Sequence, residues 1–270
     1  MSRVHLVTVA GGQVDVLAHM LEHYRSLGVE SFFVNLHLAT EDDPARGVVE
    51  EITRRFGCGI ASVTVGGWQF ALQELYSRQR QQYPSDWFVL ADHDELQAYP
   101  AKIPDVVAEF GQWDYIRGCF VDRLARDGSF PAVESGTSIW EQYPLGGFVS
   151  PLILHADPRK VVAVRGPIAV KKGNHHAYEG KACPSRQCYI PVHHFKWTAG
   201  VAERLAARAE SLRQGGFPQW QESARFVEYL RLRGGKIDLT DPNLMVAECA
   251  PDYPHWDKIK KIVLSAPVVL

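Results

Sequence analysis

Two aspartates stand two residues apart, directly after an apolar run. Asp92 and Asp94 follow Trp87 to Ala91, and Glu95 adds a third acid. If the run is a strand, its side chains alternate between the two faces, so that Asp92 and Asp94 project to the same side. Carboxylates that close repel each other unless one is protonated or a cation lies between them. Mg²⁺ and Mn²⁺ prefer such oxygen ligands, so the pattern predicts a metal site, with a solvated acidic turn as the structural alternative.

Such a site suits the transfer of a group from a nucleotide diphosphate. The diphosphate supplies further oxygen ligands, and a cation offsets the negative charge that builds up on the departing phosphate. We therefore predict Mn²⁺ or Mg²⁺ as the cofactor, with Asp92 and Asp94 as ligands and Asp94 also as a catalytic residue. A metal-dependent phosphohydrolase or nucleotidyltransferase uses similar residues and stays open as an alternative, as does a noncatalytic binding module.

Strand and helix patterns alternate in the first hundred residues. Apolar, β-branched runs predict strands, and apolar residues spaced three or four apart predict the helices between them. The predicted strands cover residues 4–9, 31–36, 60–65 and 87–91. Gly28 is expected to end the first helix, and Asp43-Pro44 to begin the second. This repetition implies an α/β fold, a Rossmann-like domain with a mostly parallel central sheet.

Parallel sheets bind ligands beyond the carboxyl ends of their strands, which indicates where to look for a site. After the predicted strands stand the segments Ala10–Gln13, Asn35–His37, Gly66-Gly67 and Asp92–Glu95. The candidates for substrate binding in these segments are Ala10, Asn35, His37 and Asp92.

The second half of the chain is less regular. Residues 113–121 and 189–194 predict strands, residues 160–165 and 167–171 predict a hairpin, and residues 198–213 predict a helix. The sequence contains no internal repeat and no clear linker. We predict one domain over residues 1–270, in which about residues 1–100 form a nucleotide-binding half and residues 101–270 form an acceptor-side half with C-terminal helices.

The segment from Trp87 to Leu96 resembles the metal-binding strand of GT-A fold glycosyltransferases, in the family-two-like branch whose motif ends in Asp-x-Asp-Glu-Phe. Other segments similar to that branch are His19–Leu36, Gly118–Arg123, Lys172–His175 and Val192–Lys196. The resemblance covers roughly residues 4–210. It implies a GT-A domain that moves a sugar from a nucleotide-sugar donor to an acceptor.

The chain departs from this branch at two positions. Members usually carry Asn-Glu after the first strand, where this chain has Ala10-Gly11-Gly12-Gln13. They usually have an acidic, serine-rich turn after the second strand, where this chain has Asn35 to Thr40. Those positions normally contact the base and ribose, so the resemblance leaves the donor open between UDP-linked and GDP-linked sugars.

The resemblance supplies the remaining site candidates. It implies that His194 is a third metal ligand or a diphosphate contact, and that His175 faces the donor or acceptor. Lys196 is placed to pair with a phosphate. Asp122 is the candidate base for an acceptor hydroxyl, with Glu134 and Glu141 as other possible bases. Arg123 is a candidate to hold a phosphate or orient Asp122. Each candidate has a structural alternative. His194 is then a core histidine, Lys196 an exposed lysine, and Asp122 and Arg123 a structural pair.

The composition sets limits on partners and location. A formal net charge of -2 gives no overall basic field, so no nucleic-acid partner is expected. The expected partners are a nucleotide-sugar donor and an unidentified acceptor, with a glycan among the candidates. Five irregularly spaced cysteines predict reduced thiols in a cytoplasmic protein without a transmembrane segment. The apolar run Ile262–Leu270 is either a packed tail or a peripheral contact with a membrane.

Overall fold

The computed structural model describes residues 2–249 and 252–267, without the side chains of residues 68–73. Its strands, in chain order, are β1 (Val4–Ala10), β2 (Ser31–Leu38), β3 (Ile60–Val65), β4 (Trp87–Leu90), β5 (Glu95–Gln97), β6 (Tyr115–Leu124), β7 (Leu145–Gly147), β8 (Arg159–Arg165), β9 (Ile190–His194) and β10 (Ala247–Glu248). Its α-helices are α1 (Leu17–Ser26), α2 (Ala45–Arg55), α3 (Trp68–Gln82), α4 (Ile103–Glu109), α5 (Ile139–Gln142), α6 (Val201–Gln214), α7 (Trp220–Leu232) and α8 (Trp256–Ser265). The π-helical turn Ser150–Leu154 and the 3₁₀ turns Lys172–Asn174 and Pro242–Leu244 complete the elements.

The chain divides into two units. The first contains Met1–Cys119 and Arg159–Val192, and the second contains Phe120–Pro158 and His193–Leu270. Strand β8 pairs with β4, and residues 115–119 of β6 pair with β8, so both segments belong to the first unit. The predicted single domain with halves that meet near residue 100 stays a prediction.

The first unit is built on a sheet whose early strands are all parallel. They lie in the order β3-β2-β1-β4, and both neighbours of β1 run parallel to it. Every residue of β1 and β4 is buried, as expected for parallel strands covered on both faces. Beyond β4 come β8 and then residues 115–119 of β6, both antiparallel to their neighbours. The predicted fold class, α/β with a mostly parallel central sheet, is confirmed, and the strand order 3-2-1-4 is Rossmann-like.

Helix α1 illustrates how local sequence sets these elements. Its buried side chains, Leu17, Met20, Leu21 and Tyr24, recur every three or four residues. Gly28 adopts a left-handed φ of 86° after the helix, and the Val29 N–H donates to the Tyr24 carbonyl at 3.0 Å. These contacts satisfy carbonyls at the helix end, and they confirm the predicted stop at Gly28.

The second unit has its own sheet segment and core. Residues 122–124 of β6 pair with β7, and β7 pairs with β10, both antiparallel. Its apolar core is buried among α6, α7 and the π-helical turn, and contains Leu124, Val149, Leu154, Trp197, Val201, Leu205, Phe226, Leu230, Ile237 and Leu244. The predicted helix over residues 198–213 is therefore confirmed, with its observed start at Val201.

The predicted hairpin over residues 160–171 is wrong. Its first arm is β8, but β8 pairs with β4 and β6, and residues 167–171 form no strand. Val170 forms an isolated bridge with Ala177. Pro167 lacks an N–H to donate to a ladder, while β4 offers β8 a fully buried partner.

Among the residues that the structure describes, no helix combines the length and the apolar character needed to cross a membrane.

Candidate functional site

The acidic segment after β4 is held in a tight turn at the carboxyl end of that strand. The Glu95 N–H donates to the Asp92 carbonyl at 3.0 Å, and the Asp92 N–H donates to Glu95 Oε2 at 3.2 Å. The Asp92 side chain is 38 % exposed, whereas that of Glu95 is 1 % exposed. The turn therefore buries one carboxylate and leaves Asp92 partly accessible, with Asp94 also half-buried beside them.

Both oxygens of Asp92 have a hydrogen-bond donor. The Tyr76 hydroxyl donates to Oδ1 at 2.5 Å, and the Lys160 ammonium donates to Oδ2 at 3.1 Å. Burial alone would raise the pKa of Asp92, but the Lys160 charge and these two donors hold it well below its usual range. Asp92 is thus ionised at neutral pH and fixed in orientation.

Lys160 is the centre of this cluster, although it belongs to none of the sequence motifs. Its side chain, on β8, is 2 % exposed, and its Nζ lies 2.7 Å from Glu95 Oε1. Burial would lower its pKa, but Asp92 and Glu95 raise it above the ordinary lysine value. Burial and the Asp92 and Asp94 carboxylates raise the pKa of Glu95, and the Lys160 charge opposes that rise. The one sequence signal was a lysine at the start of an apolar strand, a position where charge is seldom buried unpaired.

His93 connects the acidic segment to the end of β1. Its Nε2 lies 2.7 Å from the Gln13 carbonyl, and its Nδ1 lies 3.2 Å from the Val9 carbonyl. Both contacts are to backbone acceptors, so the ring acts as a tether between the ends of two adjacent parallel strands. The tether brings Asp92 and the segment after Ala10 to one edge of the sheet.

Asn35 and His37 use their polar groups inside the sheet. Asn35 Oδ1 accepts hydrogen bonds from Ser62 and Gln79, and its Nδ2 donates to the Thr8 carbonyl at 3.2 Å. His37 Nδ1 lies 2.9 Å from the Thr64 hydroxyl, and burial lowers its pKa. With Ala10 fully buried as well, the geometry favours structural roles here, and contact of these side chains with a nucleotide stays a prediction.

The turn at Lys172–Asn174 lies against Lys160. The Gly173 carbonyl accepts a hydrogen bond from Lys160 Nζ at 3.0 Å, and His175 Nδ1 lies 2.8 Å from the Arg159 carbonyl. Gly173 has a φ of 78°, and a Cβ there would lie 2.6 Å from the His175 ring. Asn174 is buried with a φ of 58°, and its amide Nδ2 has no hydrogen-bond partner among the described residues. The structure thus brings His175 to the Lys160 strand, at a turn under local strain.

Asp122 and His194 form a second cluster, within the second unit. Asp122 is fully buried, and its carboxylate accepts from the Val149 N–H, the Ser150 N–H, the Ser150 hydroxyl and Trp197 Nε1 at 2.6–3.0 Å. His194 Nδ1 lies 3.1 Å from Asp122 Oδ1. Burial would raise the pKa of Asp122, but His194 and Ser150 hold it below the ordinary value. This surrounding favours a positioning role, and a role for Asp122 as base stays a prediction.

Arg123 and Lys196 also lie in the second unit. Arg123 is fully buried and donates to the Tyr143 carbonyl at 2.9 Å and the Cys249 carbonyl at 2.8 Å. Its guanidinium lies 5.1 Å from the Trp140 ring centroid, so its observed contacts are structural. Lys196 Nζ lies 5.6 Å from the Trp197 ring centroid, and pairing of this lysine with a phosphate stays a prediction.

The predicted metal ligands divide between the units: Asp92 and Asp94 belong to the first, His194 to the second. Over the described parts of the chain, no group of three His, Cys, Asp or Glu side chains is arranged to hold a metal ion. Mg²⁺ is commonly bound by one or two carboxylates together with substrate phosphates, which needs no such group. Asp92 and Asp94 are both partly accessible in this segment, and metal binding by them stays a prediction.

Comparisons with known proteins leave the family open. No family model and no curated protein matches the sequence. Similar solved structures include S. aureus TarS, at 9 % identity and a TM-score of 0.38 over 84 % of this chain and 43 % of that chain. The structure of TarS residues 1–349 has a TM-score of 0.36 at 9 % identity, over 84 % and 70 %. A putative glucose-1-phosphate thymidylyltransferase from Bacillus anthracis, in complex with a sucrose, has a TM-score of 0.32 at 9 % identity, over 98 % and 96 %. The chain thus spans less than half of full TarS, and scores this low carry no argument about function.

Proposed function

We propose that the protein is a glycosyltransferase that moves a sugar from a nucleotide diphosphate donor, UDP- or GDP-linked, to an acceptor hydroxyl. The observation that carries this proposal is the acidic segment Asp92–Glu95, positioned at the carboxyl end of β4 beside the end of β1. That edge of a Rossmann-like sheet is where nucleotides are bound in folds of this class. An ionised, partly exposed Asp92 and the half-buried Asp94 suit a ligand that carries phosphates and a divalent cation.

In this proposal, the carboxylates of Asp92 and Asp94 would hold Mn²⁺ or Mg²⁺ that arrives with the diphosphate. When bound, the cation would offset the charge of the departing nucleotide diphosphate. Tyr76 and Lys160 keep Asp92 ionised and fixed in orientation. His175, whose ring is fixed by the Arg159 carbonyl near Lys160, would line the same side of the donor.

The first test is calorimetric binding of UDP and GDP, with and without Mn²⁺. We expect one nucleotide to bind with Mn²⁺, and Asp94→Ala to weaken that binding at least about tenfold, the effect of one charge-assisted contact. The fold of the variant should be intact by circular dichroism, since Asp94 is half-buried and surface changes are usually mild. Binding of neither nucleotide by the wild-type protein would refute the donor site.

A product assay then separates the reaction classes. Incubation with the matching nucleotide sugar and candidate acceptors should release the nucleoside diphosphate. Release of pyrophosphate from a nucleoside triphosphate and a sugar phosphate would instead identify a nucleotidyltransferase. Release of inorganic phosphate from any of these substrates, without transfer of a sugar or a nucleotide, would identify a phosphohydrolase.

A further inference from the structure

Lys160 occupies the position at which a cation between carboxylates is expected. Its Nζ donates hydrogen bonds to the Gly173 carbonyl at 3.0 Å and to Asp92 Oδ2 at 3.1 Å, and it forms an ion pair with Glu95 Oε1 at 2.7 Å. The ammonium group thus lies against both carboxylates and one carbonyl oxygen. The lysine side chain is 2 % exposed, so its charge is buried beside two acidic partners.

The charges at this point leave no room for a second cation. A divalent ion placed between Asp92 and Glu95 would lie at ion-pair distance from the ammonium, where like charges repel strongly in a medium of low dielectric. Removal of the ammonium would leave two adjacent acids, one of them 1 % exposed, without a compensating charge. Such a pair of oxygen ligands is what Mn²⁺ and Mg²⁺ bind.

We propose that Lys160 is the resident cation of the Asp92–Glu95 pair, and that it excludes divalent ions from this pair in the nucleotide-free protein. Lys160 is then a positioning residue: it fixes Asp92 and joins the acidic segment to the turn at Gly173. This proposal rests on the proposed donor site. Its consequence for the transferase is that the nucleotide diphosphate brings the divalent cation into the site. The protein does not bind the metal first.

The decisive variant is Lys160→Met, which keeps most of the side-chain volume and removes the charge. We expect it to lower the melting temperature, and millimolar Mn²⁺ to restore about 5 °C or more, because an ion bound only by the folded state stabilises it. Mn²⁺ should leave the wild-type melting temperature unchanged. A lysine that serves only as packing would give a destabilised variant that Mn²⁺ does not rescue, and that result would overturn the proposal.

Two control variants define where the ion binds. Lys160→Met/Glu95→Gln removes the second acid, and should lose the response to Mn²⁺. Arg159→Met removes a neighbouring charge on the same strand without exposing the Asp92–Glu95 pair, and should show no response. A response of equal size in either control would place the ion elsewhere and count against the proposal.

A second measurement applies if Lys160→Met does not fold. Mn²⁺ alone is titrated calorimetrically into the nucleotide-free wild-type protein and into Glu95→Gln. We expect the wild-type protein to show no Mn²⁺ binding that depends on Glu95. Mn²⁺ binding to the wild-type protein that Glu95→Gln abolishes would overturn the proposal. Neither experiment contains nucleotide. A result that overturns this proposal about Lys160 therefore does not refute the proposed function, which the calorimetry with UDP and GDP tests separately.

Discussion

At the scale of single residues, hydrogen-bond geometry distinguishes carboxylates that sequence alone treats alike. Asp92 is partly exposed and near two donors, whereas Asp122 is fully buried and accepts from the backbone, a serine, an indole and His194. A base must exchange a proton with an acceptor hydroxyl, and a carboxylate saturated by donors is poorly suited to do so. Asp122 is better suited to hold His194 and the 149–150 backbone in place.

The substitution Asp122→Asn tests that role. An amide cannot accept all of these hydrogen bonds, so we expect a loss of about 2–4 kcal/mol in the free energy of unfolding, measured by urea denaturation. Asp127→Asn is the matched control, because Asp127 is an exposed carboxylate that contacts Ser129 and Lys236. That change should cost less than about 1 kcal/mol. Unchanged stability of Asp122→Asn together with lost turnover would instead support the predicted base.

At the scale of elements, local sequence patterns predicted most of the strand and helix ends in the first ninety residues. The strand predicted at residues 60–65 is β3, and the first helix ends just before Gly28, as predicted. Periodicity succeeds there because each pattern reflects burial on one side of one element. The hairpin at residues 160–171 failed because strand pairing depends on which edge a strand meets, a nonlocal property that its own residues do not encode.

The turn at Lys172–Asn174 permits a comparison of adjacent substitutions. Gly173→Ala would place a Cβ 2.6 Å from the His175 ring at a φ of 78°, so we expect a loss of about 2–4 kcal/mol in stability. Asn174→Gly relieves a left-handed φ of 58° and removes an unpaired buried amide, so its stability should stay within about 1 kcal/mol of the wild type. Urea denaturation of both variants measures the difference. Equal losses would show that the strain we assign to this turn is absent.

If the turn contributes to donor binding, the two variants should also separate in calorimetry with UDP or GDP. Gly173→Ala displaces His175 and should weaken binding, while the change at Asn174 leaves the His175 contact with the Arg159 carbonyl in place. Equal nucleotide affinity in Gly173→Ala and the wild type would remove His175 from the proposed site.

At the scale of the whole molecule, acid should destabilise the protein below neutral pH. Burial lowers the pKa of His23 and of His37 in the folded chain. The unfolded chain binds protons at these histidines at a higher pH than the folded chain does, so the free energy of unfolding falls as pH decreases through their unfolded pKa, 6.5. We expect a measurable fall in urea denaturation between about pH 7 and about pH 5.

The double variant His23→Gln/His37→Gln should flatten this dependence of the free energy of unfolding on pH. A second fall, below the ordinary aspartate value of 3.8, should follow in every variant, because contacts in the fold lower the pKa of Asp86, Asp92 and Asp122. An unchanged slope in the double histidine variant would show that other groups cause the first fall.

The sequence by itself determined the alternation of strands and helices, the parallel early sheet and the position of Asp92–Glu95 at a strand end. Each depends on patterns within one element or on adjacent elements. Only the tertiary structure decided which side chains meet these acids. Lys160 lies 68 residues from Asp92 in the chain, and His194 lies 72 residues from Asp122. The pairing of β8 with β4 brings Lys160 to Asp92, and such long-range pairings arise from the packing of the whole chain rather than from local pattern.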